Sequence, residues 1–140
     1  MYVVIAGCGR VGSGLARDLV KEAHEVTVID ENPDAFELLG DDFPGRFLTG
    51  QALDWEVLRA AELGRADACV VATDGDNTNL VVAQIAAKAF NVKCAVARIF
   101  DPNRAELFAQ KAGVRTVCPT KDTELLLHEA IRSCQIQPAG

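Results

Sequence analysis

Gly7-Cys8-Gly9-Arg10-Val11-Gly12 spells G-x-G-x-x-G immediately after the apolar run Tyr2–Ala6, a spacing suited to holding a pyrophosphate at the start of a helix. Each glycine has its own task. Gly7 permits the tight turn, Gly9 lets the phosphates approach the backbone, and Gly12 lets the helix pack closely on the strand. The helix N-terminus adds free N–H groups and a partial positive charge. Arg10 lies inside the loop and offers a guanidinium to phosphate oxygens, although a cation in a first turn opposes the helix dipole. Asp30 closes the next apolar run. A carboxylate there accepts the ribose hydroxyls of an adenosine and repels a 2′-phosphate, so NADP is disfavoured.

These residues need a parallel sheet to bring them together, and the rest of the chain supplies its pattern. Short apolar runs at 2–6, 25–29, 46–49, 68–72, 93–99 and 116–118 read as six strands. Helical patterns separate them. Val11, Leu15 and Leu19 recur at helical spacing up to about Glu22, and a short helix starts at Asn32-Pro33-Asp34 and runs to about Gly40. Asp54 caps a helix reaching Leu63, with Gly64 as its stop. An alanine-rich helix follows the polar loop 73–77 and ends near Asn91, and a further helix runs from Pro102 towards Gly113. A last helix extends from Pro119 to about Cys134, and the tail beyond it is expected to fray. Right-handed crossovers then give an α/β fold, a Rossmann-type doubly wound parallel six-stranded sheet in the order 3-2-1-4-5-6. Ligands of such sheets sit outside the carboxyl ends of the strands. Residues 7–12, Asp30, 49–52 (including Gln51 and Ala52), Thr73, Asp74 and Arg98 are therefore expected around one crevice. Arg98 has two readings of equal weight there, a phosphate ligand or the partner of a carboxylate such as Asp74.

Composition narrows the function classes. With 14 Lys and Arg scattered along the chain and a formal charge of −6, no basic face for nucleic acid can be assembled. The five cysteines have no C-x-x-C spacing and the two histidines are far apart, so a zinc site is not expected. The loop 73–77 is rich in oxygen ligands but lacks the bidentate Glu of a calcium loop, and reads as a strand end plus a helix cap. No apolar stretch approaches the roughly 20 residues that cross a bilayer, and the start lacks the basic region of a signal peptide. A cytoplasmic location is the expectation. Trp55 reads as a core or interface anchor, and Leu126, Leu127, Ala130, Ile131 and Cys134 give the last helix a wide apolar stripe, some of which should cover the sheet. No acid–base pair accompanies the nucleotide motif. His24 belongs at the far end of its strand and His128 lies mid-helix, so neither is placed as a general acid.

Several segments in order carry a family resemblance: Gly-Cys-Gly-Arg-Val-Gly at 7–12, Val-Ile-Asp at 28–30, Gly-Gln-Ala-Leu-Asp at 50–54, Val-Leu-Arg-Ala-Ala at 57–61, Ala-Asp-Ala at 66–68, Ala-Thr-Asp-Gly-Asp-Asn-Thr-Asn at 72–79 and Ala-Arg-Ile-Phe-Asp-Pro at 97–102. Over about residues 1–136 the chain resembles the TrkA N-terminal domain, also called the KTN or RCK N-terminal domain, of regulators of potassium transporters and channels. The resemblance implies a non-catalytic nucleotide sensor that binds NAD(H) or adenine nucleotides such as ATP and ADP. It also implies dimers or rings beneath an integral membrane potassium transporter or channel. Carried across, Gly7, Gly9, Arg10 and Gly12 match the phosphate loop, with Cys8 and Val11 between them. Asp30 matches the ribose-binding acid, Ala52 the adenine-side loop, Thr73 and Asp74 the loop after strand four, and Arg98 the strand-five arginine. In the family the loop arginine also approaches nucleotide bound in a neighbouring subunit. Gln51 stands where the family has Asp, which removes one carboxylate beside the adenosine. The sequence ends before the C-terminal RCK subdomain that usually follows.

The expected function is thus a cytosolic, homo-oligomeric nucleotide-binding subunit regulating membrane potassium uptake, peripheral to the inner membrane through its partner. The alternative from a different class is the cofactor half of an NAD-dependent oxidoreductase. A nucleotide-stabilised scaffold without signalling is a third.

Overall fold

In a computed structural model of the chain, residues 1–109, 111 and 113–134 are described; the expected fraying of the tail at 135–140 falls outside them. Six parallel strands form one sheet: β1 (Tyr2–Ala6), β2 (Glu25–Asp30), β3 (Arg46–Thr49), β4 (Ala68–Val71), β5 (Cys94–Arg98) and β6 (Val114–Val117). Their order is β3-β2-β1-β4-β5-β6, as the pattern predicts. β1 is buried along its whole length, and its residues alternate between two cores. Val3 and Ile5 face α1 (Arg10–Lys21) and a 3₁₀ helix at Pro33–Leu39. Tyr2, Val4 and Ala6 face the core covered by α2 (Trp55–Ala60), α3 (Asp76–Lys88) and α4 (Pro102–Phe108). The two halves of the chain therefore cover opposite faces, as right-handed crossovers on either side of β1 require.

The deviations from expectation have local causes. The helix after β2 is a 3₁₀ helix, capped by the Asn32 side chain, which accepts from Asp34 N–H at 3.0 Å. Asp54 does cap α2, accepting from Glu56 N–H at 2.9 Å, but the helix stops at Ala60. Glu62, not Gly64, adopts the left-handed conformation at φ 55°, and a short 3₁₀ turn at Leu63–Arg65 leads into β4. Glu62 is anchored there by Arg65, whose guanidinium also clasps Glu25 at 2.9 and 3.1 Å. That clasp holds the Glu25 carboxyl below its ordinary range and drives the Arg65 value upward. β6 begins at Val114, two residues before the predicted start, because Gly113 at φ 71° ends the preceding turn there.

The final helix, α5 (Pro119–Ser133), is the clearest correction. None of its residues is buried, and Leu125, Leu126, Leu127 and Ile131 are each more than half exposed. Its stripe does not cover the sheet. The helix leaves the edge strand β6 through extended backbone at Cys118 and is tied at its first turn, where Thr120 Oγ1 donates to Phe100 O at 2.7 Å. Trp55 is a surface residue stacked at 4.9 Å on Phe90. Among the described residues, no helix is long and apolar enough to cross a membrane.

Two glycines of α1 provide a test of this packing. A Cβ on Gly12 would lie 1.9 Å from Gly7 O, whereas one on Gly14 would meet nothing within 4 Å. Gly12→Ala should destabilise the chain by at least about 2 kcal/mol through overpacking. Gly14→Ala should stabilise it by about 0.5–1 kcal/mol, the usual gain in a helix interior. Urea unfolding of the two variants beside the parent checks both signs.

Candidate functional site

β1 and β4 lie side by side but feed helices on opposite faces, so their carboxyl ends open a cleft of ≈ 880 Å³. The turn from β1 to α1 supplies Gly7, Cys8, Gly9, Arg10 and Val11 to its wall, and the end of β2 supplies Asp30. Gln51 and Ala52 enter after β3, Thr73 and Asp74 after β4, and Arg98 from the end of β5. Eleven of the twelve expected residues thus line one cavity. Gly12 lies beneath it, buried in α1 against the Gly7 carbonyl.

The glycine turn is built for close approach. Gly7 has φ 104°, and a Cβ there would lie 2.4 Å from the Ala72 carbonyl oxygen. Its N–H donates to Ile29 O at 2.8 Å, which fastens the turn to β2. A Cβ on Gly9 would meet nothing within 4 Å, so the space over the helix N-terminus is open. Gly9 is the N-cap of α1 and offers no side-chain acceptor to the first-turn N–H groups. Those donors therefore remain available to an anion entering the cleft.

Asp30 is fixed before any ligand arrives. Its Oδ2 accepts from Cys8 N–H at 2.7 Å and its Oδ1 from Asn32 N–H at 2.9 Å. Each carboxylate oxygen keeps a further lone pair, so the group can still accept two hydroxyls. Cys8 is fully buried against the core under α1, and its Sγ donates to Ala35 O at 3.4 Å. Burial, reinforced by the Asp30 charge, pushes this thiol up to about 11. It is a packing residue and not a nucleophile.

The opposite wall is organised by side chains. Arg98 Nη2 donates to Thr73 O at 3.0 Å, and the guanidinium lies 4.7 Å from the Phe100 ring centroid. Asp74 Oδ1 is 4.0 Å away on a fully exposed side chain, so the ion pair is a weak one. Of the two readings for Arg98, a structural pair with Asp74 accounts for little of its placement. Its Nε is buried without a hydrogen-bond partner among the described residues. The 73–77 loop does carry the helix cap expected of it: Gly75 is the N-cap of α3, without a side-chain acceptor, and Asp76 accepts from Phe100 N–H at 2.8 Å and Asp101 N–H at 3.0 Å.

Sequence reasoning missed the hydrophobic rim of Leu38, Leu53 and Phe100, as well as buried Asn79 behind Thr73. Its spacing from Ala83 and Ala86, which puts it on the core face of the helix, could have signalled that Asn79 is buried, though not what it bonds to. His24 is outside the cleft at the amino ends of the strands, bonded at Nδ1 to the Met1 amino group at 3.1 Å, and His128 is on α5. Among the described residues, no three His, Cys, Asp or Glu side chains gather as metal ligands.

The sequence profile of the TrkA-N domain family matches residues 3–120. The chain belongs to the TrkA-N domain family. The matched span takes in all six strands but for Tyr2 and ends at the second residue of α5. Over 123 residues the chain is 44% identical to the Trk system potassium uptake protein TrkA of Streptomyces coelicolor, covering 88% of this chain and 55% of that one. The protein of the same name from Vibrio alginolyticus is 38% identical over 111 residues, covering 79% of this chain and 24% of that one. The chain thus spans about half the length of the first relative and a quarter of the second. Among solved structures it is similar to the Shewanella denitrificans Kef CTD in its AMP-bound form, with a TM-score of 0.81 and 25% identity over 98% of this chain and 84% of that one.

Thiol chemistry checks the packing of this TrkA-N loop. Iodoacetamide at neutral pH should modify exposed Cys134 quickly and leave Cys8 and Cys69 intact, because burial raises the Cys69 thiol to about 12 as well. Peptide mass spectrometry reads the outcome, and fast alkylation of Cys8 would contradict its inward orientation.

Proposed function

We propose that this chain is the nucleotide-sensing module of a cytoplasmic regulator of membrane potassium uptake. The observation that carries the reading is the convergence of an open glycine turn, a preset ribose-type carboxylate and an arginine on one cleft. Residues 1–136 form the nucleotide-binding domain, and NAD(H) or an adenine nucleotide such as ATP or ADP is its ligand. The phosphates lie over residues 7–12, Asp30 takes the ribose hydroxyls, and Gln51 and Ala52 border the adenosine. The Asp30 charge disfavours NADP. Support comes from relatives named for potassium uptake and from similarity to an AMP-bound protein. The role is regulatory and not catalytic, consistent with the placement of both histidines outside the cleft.

The partner is an integral membrane potassium transporter or channel, and the chain acts as a homodimer or larger ring peripheral to the inner membrane. A nucleotide shifts such an assembly only by binding its two arrangements with different affinity. Coupling of about 1–3 kcal/mol is typical of such switches. Arg10, exposed at the cleft mouth, is the group able to reach nucleotide held by a neighbour.

Isothermal titration with NADH, NAD, ATP and ADP, with light scattering at saturation, tests the reading. One or more should bind in the micromolar range and change the assembly. Asp30→Ala should weaken binding about 10- to 100-fold, the usual loss of hydrogen bonds to a charged group. Arg10→Ala should blunt the nucleotide response of potassium uptake in cells carrying the complete system. Absence of binding by all four would overturn the sensor, and NADH turnover by the chain would favour an oxidoreductase.

A further inference from the structure

We propose that Asn79 is the positioning residue for Arg98, and that it sets affinity for the part of a nucleotide extending beyond its first phosphate. This rests on the nucleotide-binding reading above. Asn79 is fully buried in the first turn of α3, and its amide is saturated. Oδ1 accepts from Thr73 N–H at 3.0 Å and from Thr73 Oγ1 at 2.5 Å. Nδ2 donates to Thr73 O at 3.0 Å and to Arg98 O at 2.8 Å. One side chain thus satisfies both backbone groups of Thr73 and ties the end of β4 to the end of β5.

The Thr73 carbonyl also receives Arg98 Nη2, so the acceptor that orients the guanidinium is itself held by Asn79. Among the described residues no other contact fixes Arg98 as firmly. Asp74 is distant and solvated, and the Phe100 ring constrains the plane without supplying an acceptor. The buried Nε has no acceptor among the described residues. A cationic donor set held in place yet incompletely satisfied matches the needs of phosphate oxygens.

The geometry also separates two halves of the cleft. The glycine turn is held by Gly7 N–H on Ile29 O and by Asp30 on Cys8 N–H, neither of which involves Asn79. A mononucleotide such as AMP relies on that half. ATP or NADH must also extend towards Thr73 and Arg98, and should feel Asn79 through them.

The experiment is titration of the parent chain, Asn79→Ala, Asn79→Ser, Arg98→Ala and the Asn79→Ala/Arg98→Ala double variant with AMP, ATP and NADH, beside thermal unfolding of each. The alanine change at Asn79 should weaken ATP or NADH about tenfold or more while AMP stays within about twofold. The double variant should bind ATP no more weakly than Arg98→Ala, because both changes remove one contact. Should Asn79→Ala fail to fold, the serine variant carries the same comparison. Equal loss of AMP and ATP would reduce Asn79 to a support of the fold and overturn the proposal. Unchanged ATP affinity, or additive losses in the double variant, would overturn it too. Failure of the parent to bind any of the three would instead strike the nucleotide reading itself.

Discussion

The closest backbone approach in the site is the constraint on which the rest depends. α1 starts so near the end of β1 that the Gly12 position has room for hydrogen only, with the Gly7 carbonyl in the space a methyl would need. Gly7 in turn passes so close to the Ala72 carbonyl that a side chain there would strike the end of β4. Two successive elements of the sheet are thereby brought within reach of one helix N-terminus. If either glycine acquired a Cβ, α1 would have to move outward, and the donors of its first turn would no longer face the gap between β1 and β4. The cleft is a consequence of this packing, because strand order alone fixes where a gap opens but not how close a helix end comes to it.

The cleft is held by different means on its two sides. On the β1–β2 side the backbone does most of the positioning: Gly7 N–H bonds to Ile29 O, and Asp30 is clamped by two N–H groups. On the β4–β5 side the ends of the strands are joined by side chains. Asn79 bridges Thr73 and Arg98, while Asp76 gathers the N–H groups of Phe100 and Asp101. Both are on the first turn of α3, so this helix start serves as a bracket for the neighbouring strand and not as an open anion site. At α1, by contrast, the N-cap Gly9 leaves the space over the helix N-terminus open. The asymmetry gives a ligand one end recognised by backbone donors and another by a charged side chain.

Burial governs the chemistry of the site as much as proximity does. Cys8 is in the loop sequence where a thiol could in principle react, yet its Sγ faces the core beside the 3₁₀ helix and its proton is held by desolvation. Asp30 is within range of the same thiol and contributes in the same direction. The cavity thus presents carboxylates, the guanidinium groups of Arg10 and Arg98, and backbone N–H groups, all of which can hold a phosphorylated ligand. That combination suits a binding role for a member of the TrkA-N domain family.

What the sequence by itself determined was everything governed by local pattern. Alternation of apolar runs and helical spacings gave six parallel strands in their observed order, and the glycine spacing located the β1–α1 turn. The same logic brought eleven of twelve chosen residues to one cavity, because strand ends in such a sheet are neighbours whatever the side chains. Tertiary structure decided matters that depend on contacts between distant segments. Glu62 takes a left-handed conformation at the end of α2 that Gly64 was expected to provide, and Arg65 bridges from Glu62 across to Glu25. The apolar stripe of α5 records that the helix has a sticky face, but periodicity does not say what that face meets. The role of Asn79 was equally out of reach. Asn79 follows the polar Asp76-Asn77-Thr78 and nothing in that run says what it bonds to, because its four hydrogen-bond partners exist only once β4, β5 and α3 have come together.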